Sequence, residues 1–251
     1  MNPADTAALL AGAHSARVQV RTRADLAPQS AGDAYAVQDL VYAAVCGGQR
    51  VTAWKVGGPD DKVEPTASPV LRVLKTPARV AAGDFHMIGV EAEVAYKLAR
   101  DLPPRDVPYS DKEIADAVSQ AVVAIEICDT RLADWKEAPD LWKLADFQSN
   151  GALVTGPGTR WWRDIDFRAQ RAQLLADGRL LADVTGAHPY GDPFRLLPWI
   201  VAHCARRCGG LRAGDLVTTG SWGGMHLVQP GCEVMARFPG IGDARLVLAK
   251  D

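Results

Sequence analysis

The residues most able to do chemistry here are acids set in apolar runs. From Val90 to Leu98 the chain alternates, with Val90, Ala92, Val94, Tyr96 and Leu98 on one side and Glu91, Glu93, Ala95 and Lys97 on the other. On an extended strand, residues i and i+2 share a face, so Glu91 and Glu93 project together with Cα atoms about 7 Å apart. On an exposed edge, water and Lys97 would suffice to relieve their repulsion. The solidly apolar opposite face implies instead a strand packed into the core, where paired hard oxygen ligands suit a divalent cation and one more carboxylate completes the set. The next apolar run, Ala121 to Cys128, carries Glu126 in its interior and is followed by Asp129. An unpaired buried carboxylate is costly, so Glu126 requires either a cation or a basic partner such as Arg131. Asp129 is either the alternative ligand or a strand terminator. By alternation the two face opposite ways, so at most one is a direct ligand.

Other candidates follow the same logic. Lys55 ends a strand-like run ahead of Gly57-Gly58, which places its amine at the mouth of a sheet. There it is either a surface lysine or, in a buried site, a proton shuttle with a depressed pKa. Gly220-Ser221, after a β run, offers a close backbone approach and a hydroxyl to a substrate carboxylate or oxo group, or else forms a plain turn. Gln38 lies on the first strong helix and either reaches the site or is solvated. Cys204 and Cys208 at i, i+4 beside His203 are half a zinc site at most, and read as thiols packed on a helix.

These groups need elements to hold them. Helices are expected over Asp5–Ala13 and over Asp33–Cys46, the latter capped by Asp33 and stopped by Gly47-Gly48. After residue 50 the texture becomes short strands punctuated by Gly and Pro: Val51–Val56, Val90–Leu98, Ala121–Cys128, Asp215–Thr219, Cys232–Phe238 and Ala244–Ala249. Ser110 and Glu113 form a capping-box pattern for a helix to Val118. Arg168–Val184 reads as a hairpin turning at Asp177-Gly178, and Pro193–Cys208 as an amphipathic helix closed by Gly209-Gly210. The expected class is α+β, with a helical N-terminal lobe over 1–50 and a β-rich catalytic domain over 51–251.

Composition removes whole classes of function. With 28 Lys+Arg against 30 Asp+Glu the net charge is −2, without the basic surplus of a nucleic-acid binder. No apolar run approaches the roughly 18 residues of a membrane helix. The N-terminus lacks a basic, apolar leader, and five cysteines without a CxxC pair fit reduced thiols, so a cytoplasmic protein is expected.

Six segments occur in order: Tyr35-Ala36-Val37-Gln38, Trp54-Lys55-Val56-Gly57, Glu91-Ala92-Glu93, Ile125-Glu126-Ile127-Cys128-Asp129-Thr130-Arg131, Ala145-Asp146-Phe147-Gln148-Ser149 and Thr219-Gly220-Ser221. Over roughly residues 33 to 249 the chain resembles the 2-keto-4-pentenoate hydratase / 2-oxo-3-enoate decarboxylase branch of the fumarylacetoacetate hydrolase superfamily. The resemblance implies a mixed β-sandwich roll behind a helical lobe. It also implies Mg²⁺ or Mn²⁺ held by Glu91, Glu93 and Glu126, with Asp129 behind them, and Lys55 in the proton-relay role. Gly220, Ser221 and Gln38 are carried as substrate-binding candidates, and a homodimer or ring of dimers is expected. The implied reaction adds water to a 2-hydroxy-2,4-dienoate, giving a 4-hydroxy-2-oxo acid. Decarboxylation of a 2-oxo-3-enedioate, acylpyruvate-type C–C hydrolysis and a non-catalytic partner subunit are the alternatives. Two stretches depart from the family pattern, Gly58-Pro59-Asp60-Asp61 and Asp146-Phe147-Gln148-Ser149, where the usual Asp-Asn-Ala-Ser gains bulk. Both lie where substrate specificity would be set.

Overall fold

The computed structural model describes residues 2–250. Helix α1 (Pro3–Ala16) starts with Asn2 accepting from the Ala4 amide and Pro3 in its first turn. Helix α2 (Ala31–Val45) is capped by Ser30, whose Oγ accepts from the Asp33 amide, rather than by Asp33. Asp33 lies in the first turn and accepts from the Gln29 amide. Gly47 and Gly48, with φ of 61° and 72°, end the helix as expected.

Strands then dominate. In chain order they are β1 (Ala53–Gly57), β2 (Thr66–Pro69), β3 (Val73–Lys75), β4 (Ala78–Ala81), β5 (Gly89–Leu98), β6 (Val118–Cys128) and β7 (Asn150–Thr159). After them come β8 (Arg171–Ala176), β9 (Arg179–Thr185), β10 (Leu216–Ser221), β11 (His226–Leu227), β12 (Glu233–Phe238) and β13 (Gly242–Ala249). Between them lie α3 (Asp111–Ala117), which has the expected capping box of Ser110 and Glu113, α4 (Asp140–Ala145) and α5 (Leu197–Cys208). A separate 3₁₀ turn, Pro193–Leu196, precedes α5, so the expected helix begins later than Pro193. The hairpin β8–β9 turns at Asp177-Gly178.

Two mixed sheets pack face to face. The larger runs β2-β1-β10-β5-β6-β7-β3, with β11 also on β5; the smaller runs β4-β13-β12-β8-β9. Their shared core draws Val90, Val94 and Tyr96 from β5 and Ile125 and Ile127 from β6 against Val234, Phe238, Leu246 and Leu248. The period-2 reading of β5 therefore holds: one face is core, and the other carries the acids. A second core joins α1 and α2 to Leu132, Trp142 and Phe147. The apolar faces of α1 and α2 are thus covered by the 132–147 segment.

β7 is invisible to strand periodicity. Its Gly156 and Gly158 sit where the chain touches its neighbours: a Cβ on Gly156 would lie 2.9 Å from the Asp243 carbonyl, and one on Gly158 would collide with the Ala121 carbonyl. Glycine here marks close approach in a strand rather than a loop. No helix among the described residues is long and apolar enough to cross a membrane.

Candidate active site

Antiparallel pairing sets Glu91 directly opposite Glu126 and Glu93 opposite Ala124. Directly opposed residues share a face, so the three glutamates converge on the side of the sheet away from the sandwich core. β10 lies on the other side of β5, with Thr218 opposite Ala95 and Ser221 opposite Glu93. β1 lies beyond it in parallel, with Lys55 opposite Thr218. Four strands therefore supply one patch.

Glu93 and Glu126 are fully buried. Lys55 Nζ donates to Glu126 Oε1 at 2.7 Å and to the Gln148 carbonyl at 3.1 Å. Asn150 Nδ2 donates to the same Glu126 oxygen at 2.8 Å. Glu93 Oε2 accepts from the Thr218 hydroxyl and from the Gly220 amide, the latter at 3.2 Å. Glu91 lies opposite Glu126 and close to Cys128. The second oxygens, Glu93 Oε1 and Glu126 Oε2, are buried and receive no hydrogen bond from the described residues.

The electrostatics follow from this crowding. Burial first, then the Glu126 charge, pushes Glu91 up to about 7. The same two causes hold Glu93 well above the usual carboxylate range. Burial opposes a charge on Lys55, but the carboxylates, Glu126 foremost, outweigh it, so the ammonium form is favoured beyond the ordinary lysine value. The expected depression of Lys55 is thus opposed by its ion pair with Glu126.

These residues fit a divalent cation. Three carboxylates against one ammonium leave a formal surplus of two negative charges in a buried patch, and two of the carboxylate oxygens lack donors. Ligand atoms of Glu91, Glu126 and Cys128 all lie within 4.8 Å of one another. Burial pushes the Cys128 thiol far up, so it stays protonated and soft, a poor match for a hard cation. The glutamates are the better donor set.

The other candidates fall in different places. Asp129 points away from this patch and accepts from the His86 and Met87 amides, each at 2.9 Å. Arg131 does not pair with Glu126: its Nε meets Asp146 Oδ1 at 2.6 Å, and its Nη atoms donate to the Asp146 and Asn150 carbonyls. Gln38 is not at the patch. It is fully buried, its Nε2 donating to the Ala67 and Leu144 carbonyls and its Oε1 accepting from Arg207. It ties α2 to β2, α4 and α5. The Gly220 amide is spent on Glu93, whereas Ser221 Oγ is buried without a partner among the described residues. His203 stacks on Trp199 and the Cys208 thiol donates to the Cys204 carbonyl, so that cluster is helix packing.

Sequence reasoning missed Thr218 and Asn150, which hold Glu93 and Glu126. A polar residue inside an apolar strand was the available signal for Thr218; Asn150 gave none, since its strand was not recognised.

A family model described as fumarylacetoacetate (FAA) hydrolase C-terminal matches residues 58–248. A 2-keto-4-pentenoate hydratase from Burkholderia vietnamiensis is 35% identical over 156 residues, covering 62% of this chain and 58% of that protein, so the chain matches it over less than two thirds of its length. 2-Keto-4-pentenoate hydratase 2 from Dechloromonas aromatica is 30% identical over 261 residues, covering 99% and 98% of the two chains. In fold, the chain superposes on 4-oxalocrotonate decarboxylase from Pseudomonas putida G7, complexed with magnesium and adipate, with a TM-score of 0.84, 18% identity and coverage of 97% and 96%.

Proposed function

From the premise that the chain belongs to the fumarylacetoacetate hydrolase C-terminal family, we propose that it is a metal-dependent hydratase of 2-hydroxy-2,4-dienoates. The observation that carries this reading is the convergence of Glu91, Glu93 and Glu126 beside Lys55, with two buried carboxylate oxygens lacking donors. The hydratase names of relatives at 30–35% identity support it, and the magnesium complexed with the structurally similar decarboxylase supports the cation. Glu91, Glu93 and Glu126 would hold Mg²⁺ or Mn²⁺, which when bound stabilises negative charge on the substrate carboxylate and C2 oxygen.

The chain's own residues account for the proton movements. Lys55 enters as an ammonium, held by Glu126 and the Gln148 carbonyl, and delivers a proton to C5 of the dienol while the C2 hydroxyl loses one, giving the 2-oxo-3-enoate. Water then adds across C3=C4: its oxygen bonds C4 and a proton goes to C3, giving the 4-hydroxy-2-oxo acid. Ser221 Oγ is the uncommitted hydroxyl on β10 for the substrate's polar end. Asn150 and Thr218 keep the glutamates from turning away.

Disappearance of dienoate absorbance, followed with Mg²⁺ and with EDTA, tests the proposal. Turnover should vanish in the chelator and return with the metal; unchanged turnover in EDTA removes the metal role. The likeness in fold to a decarboxylase favours loss of CO₂ from a 2-oxo-3-enedioate as the second reading. Product mass separates the two, one water gained against one CO₂ lost. The expected homodimer or ring of dimers belongs to this proposal as well, and light scattering on the eluting protein measures it.

A further inference from the structure

Three consecutive non-glycine residues, Phe147, Gln148 and Ser149, adopt left-handed backbone, with φ of 55°, 52° and 59°. Such a run is costly for L-residues and persists only where the surroundings over-determine it. Here they do. Ser68 Oγ donates to the Phe147 carbonyl at 2.9 Å, Lys55 Nζ to the Gln148 carbonyl, and the Asp129 amide to the Ser149 carbonyl at 2.8 Å. Arg131 fastens both ends through the Asp146 and Asn150 carbonyls.

The result is that Gln148 is pinned beside the ammonium of Lys55. Its Nε2 donates to Thr66 Oγ1 at 2.6 Å, and Thr66 is opposite Gly57, two residues beyond Lys55 on the same face of β1. Its Oε1 is buried and receives no hydrogen bond from the described residues. A buried acceptor left without a donor costs free energy, so this strained turn holds a carbonyl oxygen with acceptor capacity to spare, the Thr66 hydroxyl being engaged by the amide's other end.

We infer that Gln148 is a specificity-determining residue whose Oε1 accepts a hydrogen bond from the C4 hydroxyl of a 4-hydroxy-2-oxo acid. That hydroxyl carries the oxygen of the added water, so the same acceptor orients the water before it adds. The inference rests on the hydratase reading for the identity of the ligand, and its test does not depend on turnover.

Calorimetric titration of Mg²⁺-loaded protein with 4-hydroxy-2-oxopentanoate and with 2-oxopentanoate, which lacks only the hydroxyl, reads the contact directly. The wild type should bind the hydroxylated acid roughly three- to tenfold more tightly, as one neutral hydrogen bond supplies. Gln148→Met, which keeps the bulk and removes the acceptor, should bring that ratio to about one. Gln148→Glu keeps an acceptor, so the ratio should survive even where its charge weakens both acids. A wild-type ratio of one, or a ratio unchanged in Gln148→Met, overturns the inference. If the ratio behaves as expected while the dienoate is not turned over, the hydratase reading fails and the Gln148 contact stands.

Discussion

At the scale of single residues, the site is held by opposition between like charges. Glu91, raised to about 7 by burial and by the Glu126 charge, and Glu93, raised further, bind protons in the folded protein that the unfolded chain releases. Folding therefore loses stability as pH rises from the ordinary carboxylate value through about 7 when no cation is bound. Replacing Glu91 with Gln removes that penalty. Without metal at neutral pH, Glu91→Gln should be more stable by about 2 kcal/mol, a rise in Tm of roughly 4–8 °C. With saturating Mg²⁺ the order should invert, because the wild type alone gains the full binding free energy. Differential scanning calorimetry with and without the metal checks both; a lower Tm for the variant in EDTA would contradict the account. The glutamates and Lys55 were legible in the sequence because acids inside apolar runs require an explanation. Lys55's ionisation state was not, since it depends on Glu126, 71 residues away in the chain.

At the scale of elements, the segment 146–150 is secured by one buried ion pair. Arg131 and Asp146 are each almost fully buried, and Asp146 also accepts from Thr130 Oγ1 and the Arg131 amide. Removing one partner leaves the other uncompensated. Asp146→Ala should cost about 3–5 kcal/mol, seen as a lower denaturation midpoint with an unchanged m-value; a loss under about 1 kcal/mol would show that the turn does not depend on the pair. Period-2 alternation identified β5 and its two faces, and glycine stops and one capping box located α2, α3 and α5 to within a few residues, while α4 went unread. The same rules passed over β7, where Gly156, Pro157 and Gly158 look like a loop until the Asp243 and Ala121 carbonyls are seen pressing on them. Gln38 misled for a related reason. A glutamine on an amphipathic helix reads as solvated or as reaching a site, and only tertiary packing shows both ends of its amide spent on backbone and Arg207.

At the scale of the whole molecule, three histidines, His188 and His203 buried and His14 half-buried, make it acid-sensitive. Burial lowers His188 and His203 to about 4, Arg207 adding to the effect at His203, and lowers His14 to about 3 with help from Arg131. Each folded-state value lies below that of the unfolded chain. Stability is therefore full above about pH 6.5 and declines as pH falls toward 4, by up to about 1.4 kcal/mol per pH unit for each histidine. His203→Phe should keep the stack on Trp199 and make that decline shallower by one such share. Urea midpoints for both proteins between about pH 7 and 4.5 measure it, and parallel slopes would refute it. The connectivity of the larger sheet has a separate consequence. The strand that carries Lys55, β1, joins β5 and β6 through β10, and β10 also brings the Thr218 hydroxyl and Gly220 amide that hold Glu93. During synthesis the three glutamates leave the ribosome well before residues 216–221 do. A nascent chain thus carries its carboxylates for some seconds, at roughly 5–20 residues per second, without the strand that orders them, and the site closes only after residue 221 has emerged.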